Sequence, residues 1–143
     1  MKPGLPDVNV LIALIDRDHK FHASAKSWFK DDRRGEWATC PITENGCLRV
    51  MSNPGYPAAG LTVDRVRGVL CLLAKTGGHR FWPDSVSLLD AGRFELASAG
   101  PKHLTDLYLL GLAVKFNGRL ITFDRAIRWQ WVTGCGPENL EVI

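Results

Sequence analysis

The sequence has no long hydrophobic run. Its longest apolar stretch, residues 8–15, is interrupted by Asn9 and followed by Asp16, whereas a helix that spans a membrane needs about 20 apolar residues. The N-terminus carries one lysine and then proline and glycine, and its apolar run lacks the small-residue cleavage site of a secretory signal. We therefore predict a protein that acts in the cytoplasm and has no membrane segment.

Cysteine is scarce and irregularly spaced. The four cysteines, Cys40, Cys47, Cys71 and Cys135, form no C-x-x-C pair, which zinc sites and redox motifs usually need. The sequence also lacks H-E-x-x-H, G-x-S-x-G and P-loop motifs, which argues against zinc proteases, serine hydrolases and P-loop nucleotide-binding proteins. We expect reduced thiols that lie mostly in the core.

Size and composition indicate one globular domain. The chain has 143 residues, 45% of them hydrophobic and 23% charged, which is enough for one core and short for two. Its 18 lysines and arginines exceed its 15 acidic residues and give a formal net charge of +3. This charge permits a nucleic-acid partner but does not indicate one. We predict a single domain over residues 1–143.

Short apolar segments alternate with helical periodicity along the chain. Strands are predicted at 5–8, 37–40, 79–82, 119–123 and 140–143. Helices are predicted from the end of the first strand to 15, around 23–29, from 43 onward, and over 62–75 and 103–116, with a loop at 53–60 that contains two prolines and two glycines. This order predicts an α/β fold, with a mostly parallel central sheet flanked by helices on both faces.

Four acidic residues stand at unusual positions. Asp7 interrupts the first apolar segment, and Asp124 directly follows Leu-Ile-Thr-Phe, so both are expected at the carboxyl ends of strands, where such sheets bind ligands. Glu44 and Asp106 lie at the starts of predicted helices, in line with their apolar faces. Each residue alone also fits a structural role, as a helix cap, part of a capping interaction or a turn residue.

The four positions together favour a metal site. If the strand ends and helix starts converge, four negative charges meet in one pocket and repel one another unless they are protonated or bind a cation. No cysteine or histidine cluster accompanies them. An oxygen-only set suits Mg²⁺ or Mn²⁺.

These motifs resemble those of PIN-domain nucleases, and especially the VapC-type toxins of prokaryotic toxin–antitoxin systems. The resemblance covers nearly the whole chain and rests on four segments in order: Asp7-Val-Asn9-Val-Leu-Ile, Thr43-Glu44 followed by Arg49, Thr105-Asp106-Leu-Tyr-Leu-Leu-Gly-Leu-Ala113, and Leu120-Ile-Thr122-Phe-Asp124-Arg125. It implies a PIN-like fold and a metal-dependent endoribonuclease toxin. It also implies a cognate VapB-type antitoxin and a homodimer.

The resemblance further implies roles for individual residues. Asp7, Glu44, Asp106 and Asp124 would be the catalytic carboxylates and would bind one or two Mg²⁺ or Mn²⁺ ions, directly or through water. Asn9 would hold Asp7 in place, and Thr43 and Thr122 would supply supporting hydroxyls. Arg49 and Arg125 are candidates for binding substrate phosphates, although an ion pair with a nearby carboxylate is an equal alternative for Arg49.

Three further features stay open in the sequence. Arg128 is another candidate for phosphate binding, and His103 lies three residues before Asp106, where either the site or helix-start packing would explain it. Trp129 and Trp131 lie close to Asp124 in the sequence and fit either a core or a base-stacking surface.

Two other functions compete with the ribonuclease hypothesis. Aspartyl-phosphate phosphatases also place an aspartate after the first strand, but Asn9 stands where they commonly have a second aspartate. The chain could also be a catalytically inactive RNA-binding module of the same fold. Such a module has no need for four mutually repelling carboxylates.

Overall fold

The structure is a computed structural model that describes residues 1–58 and 60–143. Its central sheet has five strands: β1 (Gly4–Pro6), β2 (Trp37–Thr39), β3 (His79–Phe81), β4 (Arg119–Thr122) and β5 (Leu140–Val142). The strand order is β3-β2-β1-β4-β5, and every neighbouring pair is parallel. The chain therefore fills one side of β1 first and then the other, which leaves a crevice at the carboxyl ends of β1 and β4.

Helices cover both faces of the sheet. They are α1 (Val8–Ile15), α2 (His22–Lys30), α3 (Pro41–Met51), α4 (Val63–Ala74) and α5 (Leu104–Lys115). The first four helices pack around Ile121, while α5 packs around Leu120 on the other face, because successive residues of a strand point to opposite faces. The predicted α/β architecture with a parallel sheet is confirmed.

The predicted helix and strand bounds agree closely with the structure. The predictions 62–75 and 103–116 each exceed the observed helix by one residue at either end, because Thr62 and His103 are the N-cap residues. The first strand was predicted to reach residue 8 but ends at Pro6, since Asp7 already caps α1. The helix predicted from residue 43 begins two residues earlier at Pro41, because proline suits the first turn of a helix.

The thiols and the polar loop match the sequence predictions in part. All four cysteines are free, but only Cys40 and Cys47 are buried and Cys71 is exposed, so the expectation of mostly core thiols is wrong for Cys71.

The loop predicted at 53–60 is present except for Ala59, which lies outside the described residues. Within the described ranges, no helix is both long and apolar enough to cross a membrane.

Candidate functional site

Asp7 is a buried carboxylate at the carboxyl end of β1. Only 6% of the residue is exposed. Its Oδ1 atom accepts a hydrogen bond from the Val10 backbone N–H at 2.9 Å, which caps α1, and its Oδ2 atom accepts one from the Thr122 hydroxyl at 2.7 Å. Burial raises the pKa of Asp7 above its usual value, and the negative charge of Asp124 acts in the same direction. The hydrogen bonds to the carboxylate lower this pKa and offset part of the rise.

Asp124 lies beside Asp7 because β1 and β4 are paired neighbours. It follows the end of β4 by two residues, where its backbone N–H donates to the Thr122 hydroxyl at 3.1 Å. Its Oδ1 atom accepts a hydrogen bond from the Ala126 N–H at 2.8 Å, which forms a tight turn. Thr122 therefore connects the two aspartates, since one hydroxyl donates to Asp7 and accepts from Asp124.

Asp106 brings a third carboxylate from the opposite face of the sheet. It lies in the first turn of α5 and is partly buried. Burial, followed by the negative charges of Asp7 and Asp124, raises the pKa of Asp106 to about 6. Three carboxylates from two strand ends and one helix start are thus close enough to repel one another.

Glu44 is not part of this group in the structure. Its Oε2 atom accepts a hydrogen bond from the Thr39 hydroxyl at 2.6 Å, and the side chain lines a different cavity together with Arg67 of α4. The packing of α3 explains this position. Gly46 faces α1, where a Cβ atom would lie 2.5 Å from Val8 Cγ2, and Glu44 is two residues earlier, about 200° around the helix.

Two of the three predicted supporting side chains do not bond with Asp7. The Asn9 side chain is exposed, and this residue reaches Asp7 through its backbone N–H. Thr43 is fully buried, and its hydroxyl bonds with the backbone of Cys40 at the start of α3. A hydroxyl that caps its own helix is not free to reach the carboxylates. Only Thr122 makes the contact with Asp7 that was expected of a supporting residue.

The predicted phosphate-binding arginines occupy different surroundings. Arg49 lines a groove of about 370 Å³ with Val8 and Thr105, the residues that follow Asp7 and precede Asp106 in the chain. Within residues 1–58 and 60–143, no salt bridge includes Arg49, which leaves its charge available to a ligand. Arg125 is exposed in the turn after Asp124.

A cavity of about 280 Å³ opens directly beside Asp106 and Asp124. Its other lining residues include Lys102, His103, Arg128 and Trp131. The sequence analysis left the roles of His103, Arg128 and Trp131 open, and it did not single out Lys102. Asp84 was also missed. It follows β3 by three residues and lines the same groove as Arg49, so its place after a strand was the available signal.

The chemistry of the three carboxylates fits a hard divalent cation. The set offers only oxygen atoms, which Mg²⁺ and Mn²⁺ prefer, and a cation would offset the repulsion between the charges of Asp7, Asp106 and Asp124. In the positions observed, no three acidic, histidine or cysteine side chains of the described residues are spaced to hold one ion. Asp106 and Asp124 are both accessible to solvent, so an ion from solution can reach them.

Known proteins share both the domain and most of the length of this chain. The PIN domain family matches residues 5–128. The chain is 41% identical over 141 residues to Ribonuclease VapC44 of Mycobacterium tuberculosis strain H37Rv, which covers 98% of this chain and 99% of that protein. It is 41% identical over 126 residues to Ribonuclease VapC39 of the same strain, covering 87% and 90%.

A third relative, Ribonuclease VapC29 of the same strain, is 37% identical over 123 residues, or 86% of each chain. The PIN-domain match agrees with the five-stranded parallel sheet. The chain therefore belongs to the PIN-domain family and, within it, to the VapC type.

Proposed function

We propose that this protein is a metal-dependent endoribonuclease that hydrolyses phosphodiester bonds of RNA. The observation that carries the proposal is the meeting of Asp7, Asp106 and Asp124 at one edge of the sheet, with cationic side chains around them. The ribonuclease names of the relatives support the same substrate class.

Asp7, Asp106 and Asp124 would hold one or two Mg²⁺ or Mn²⁺ ions. When bound, such an ion offsets the charge of the substrate phosphate and lowers the pKa of a coordinated water molecule. Glu44 remains a predicted fourth ligand, and it would have to leave the hydroxyl of Thr39 to reach the ion.

The protein's own groups prepare this site for a polyanion. The Thr122 hydroxyl and the Val10 N–H hold the buried Asp7 carboxylate in one orientation. An acidic pocket by itself would repel RNA, so the phosphates need cations at its rim. Lys102 and Arg128, which line the cavity beside Asp106 and Asp124, and Arg49, which lines a groove with Val8 and Thr105, would supply these cations. Attack by water on phosphorus would then leave a 5′-phosphate and a 3′-hydroxyl.

The test is cleavage of total cellular RNA by the purified protein with Mg²⁺ or Mn²⁺, followed by sequencing of the fragment ends. EDTA and the Asp106→Asn variant are the negative controls, and Asp18→Asn, an exposed residue of the loop after α1, is the matched control. Discrete cuts with 5′-phosphate ends that vanish in both negative controls are expected. Tight RNA binding without cleavage by folded, metal-loaded protein would instead identify an RNA-binding module.

The VapC type also suggests how the activity is controlled. We propose that a cognate VapB-type antitoxin binds and inhibits the protein, that the protein forms a homodimer, and that it acts in the cytoplasm. Expression of this protein alone should arrest growth. Co-expression of the antitoxin should restore growth, and the antitoxin should co-purify with this protein. Growth arrest by the Asp106→Asn variant as well would contradict toxicity through RNA cleavage.

A further inference from the structure

We propose that the cavity beside Asp106 and Asp124 binds one unpaired nucleotide of the RNA, with the base against Trp131 and the phosphate between Lys102 and Arg128. The inference rests on the proposed ribonuclease function and specifies how its substrate is held. It makes Trp131, Lys102 and Arg128 residues that determine substrate binding.

The size of the cavity suits a single nucleotide. Its volume of about 280 Å³ is just below the roughly 300 to 1,000 Å³ that is typical of small-ligand sites, which suits one nucleotide better than a larger ligand. A base pair in a duplex is covered by its neighbours on both sides and cannot enter such a cavity. Enzymes that read single bases therefore take them from loops and other unpaired segments.

One wall of the cavity is apolar and aromatic. Trp131 lines it together with Leu107 and Ile127. The Trp131 ring meets the His103 ring edge to face, with the ring centres 5.4 Å apart and the planes at 76°. His103 is itself fixed, because its Nδ1 atom accepts a hydrogen bond from the Gly100 N–H at 2.8 Å. Aromatic side chains held in this way serve as stacking surfaces for unpaired bases.

His103 also supplies a hydrogen-bond donor. Since Nδ1 accepts a hydrogen bond, the proton of the neutral ring is on Nε2. Because His103 lines the cavity beside Trp131, this N–H would suit the acceptor atoms of a nucleobase and Trp131 its flat face.

The charges around the cavity are arranged for a phosphodiester. Lys102 and Arg128 are exposed at its rim, and neither takes part in a salt bridge within the described ranges. Asp106 and Asp124 lie in the same lining. A nucleotide whose phosphate contacts the two cations would therefore place the adjoining phosphate of the chain near the carboxylates, where cleavage is proposed.

The test compares Trp131→Leu and Lys102→Gln with two matched controls, Phe81→Leu and Lys75→Gln, which change an exposed aromatic and an exposed lysine that do not line the cavity. The substrates are an oligonucleotide containing the mapped cleavage site unpaired, and the same site within a stem. We expect Trp131→Leu to raise KM for the unpaired substrate roughly tenfold, the usual scale of a lost base–aromatic stack, with kcat changed less than twofold. Trp131→Phe should restore most of the KM.

Binding to the same oligonucleotide is also measured in EDTA by fluorescence anisotropy, so that the inference is tested without cleavage. Weaker binding by Trp131→Leu and Lys102→Gln than by both controls supports the inference. Wild-type protein that cleaves RNA while the Trp131 and Lys102 variants keep the KM and affinity of the controls overturns it. Absence of cleavage by the wild type overturns the proposed function instead, and the anisotropy measurement still decides whether the cavity binds a nucleotide.

Discussion

The hydroxyl of Thr122 joins Asp7 and Asp124 across the strand pair β1 and β4, donating to Asp7 Oδ2 at 2.7 Å and accepting from the Asp124 N–H at 3.1 Å. Asp7 and Thr122 are 115 residues apart in the chain. Their contact exists because the two strands lie side by side in register, with Pro6 opposite Ile121. One buried threonine thus contacts the carboxylate of Asp7 and the backbone of Asp124.

Removal of this hydroxyl should impair catalysis and shift its pH dependence. Thr122→Val removes a hydrogen bond that lowers the pKa of the buried Asp7 carboxyl, so that pKa rises further. We expect kcat/KM to fall roughly 10- to 100-fold, in line with the loss of a hydrogen bond to a charged group. The acidic limb of the pH–rate profile should move to higher pH.

The comparison variants for Thr122 are Thr122→Ser, which keeps the hydroxyl, and Thr133→Val, which changes an exposed threonine. Thr122→Ser should retain most of the activity, and Thr133→Val all of it. A profile of Thr122→Val that keeps the wild-type acidic limb would show that the hydroxyl does not act on Asp7.

Neutralisation of Asp106 should stabilise the metal-free protein at neutral pH. The pKa of Asp106 is raised to about 6 from an ordinary 3.8, so the folded state favours the protonated form. The resulting stability is fully present below about pH 3.8 and is lost as the pH rises through about 6. At pH 7 we expect Asp106→Asn to raise the free energy of unfolding by about 1 kcal/mol, because solvent at this partly exposed side chain reduces the effect.

This effect can be measured by urea unfolding in EDTA at pH 5 and pH 7.5. The difference between Asp106→Asn and the wild type should be larger at the higher pH. Asp18→Asn controls for the loss of one negative charge anywhere on the surface. An equal gain from both variants would mean that net charge, and not the site, is responsible.

Divalent metal should stabilise the wild type through the same carboxylates. A ligand that binds only the folded state at 100 times its Kd adds about 2.7 kcal/mol. We expect Mg²⁺ or Mn²⁺ to raise the Tm of the wild type and of Asp18→Asn, and to have little effect on Asp106→Asn. A Tm increase that survives in Asp106→Asn would place the metal elsewhere.

Glu44→Gln should reduce cleavage less than Asp106→Asn does. In the structure Glu44 accepts a hydrogen bond from Thr39 and faces α4, and a glutamine can keep that contact through its amide oxygen. Steady-state kinetics of the two variants with the same RNA provide the comparison. Equal losses would show that Glu44 turns away from Thr39 to join the other carboxylates in the active complex.

The sequence determined the elements of the fold and three of the carboxylates. Alternation of apolar segments predicted all five strands and their neighbouring helices, because periodicity and capping are local properties. Asp7, Asp106 and Asp124 were recognisable because each follows a strand or starts a helix whose apolar residues require it to lie at the sheet's edge. The motifs around them also identified the family, which the matches over residues 5–128 confirm.

Tertiary structure decided which side chains reach those carboxylates. Asn9 and Thr43 are adjacent to the right motifs, yet one is exposed and the other caps its own helix. The angle at which α3 packs on α1 turns Glu44 towards α4, and this angle cannot be read from the local sequence pattern. Lys102 and Trp131 meet beside Asp106 only after the chain folds, because contacts between distant segments depend on how helices and strands pack and not on their local pattern.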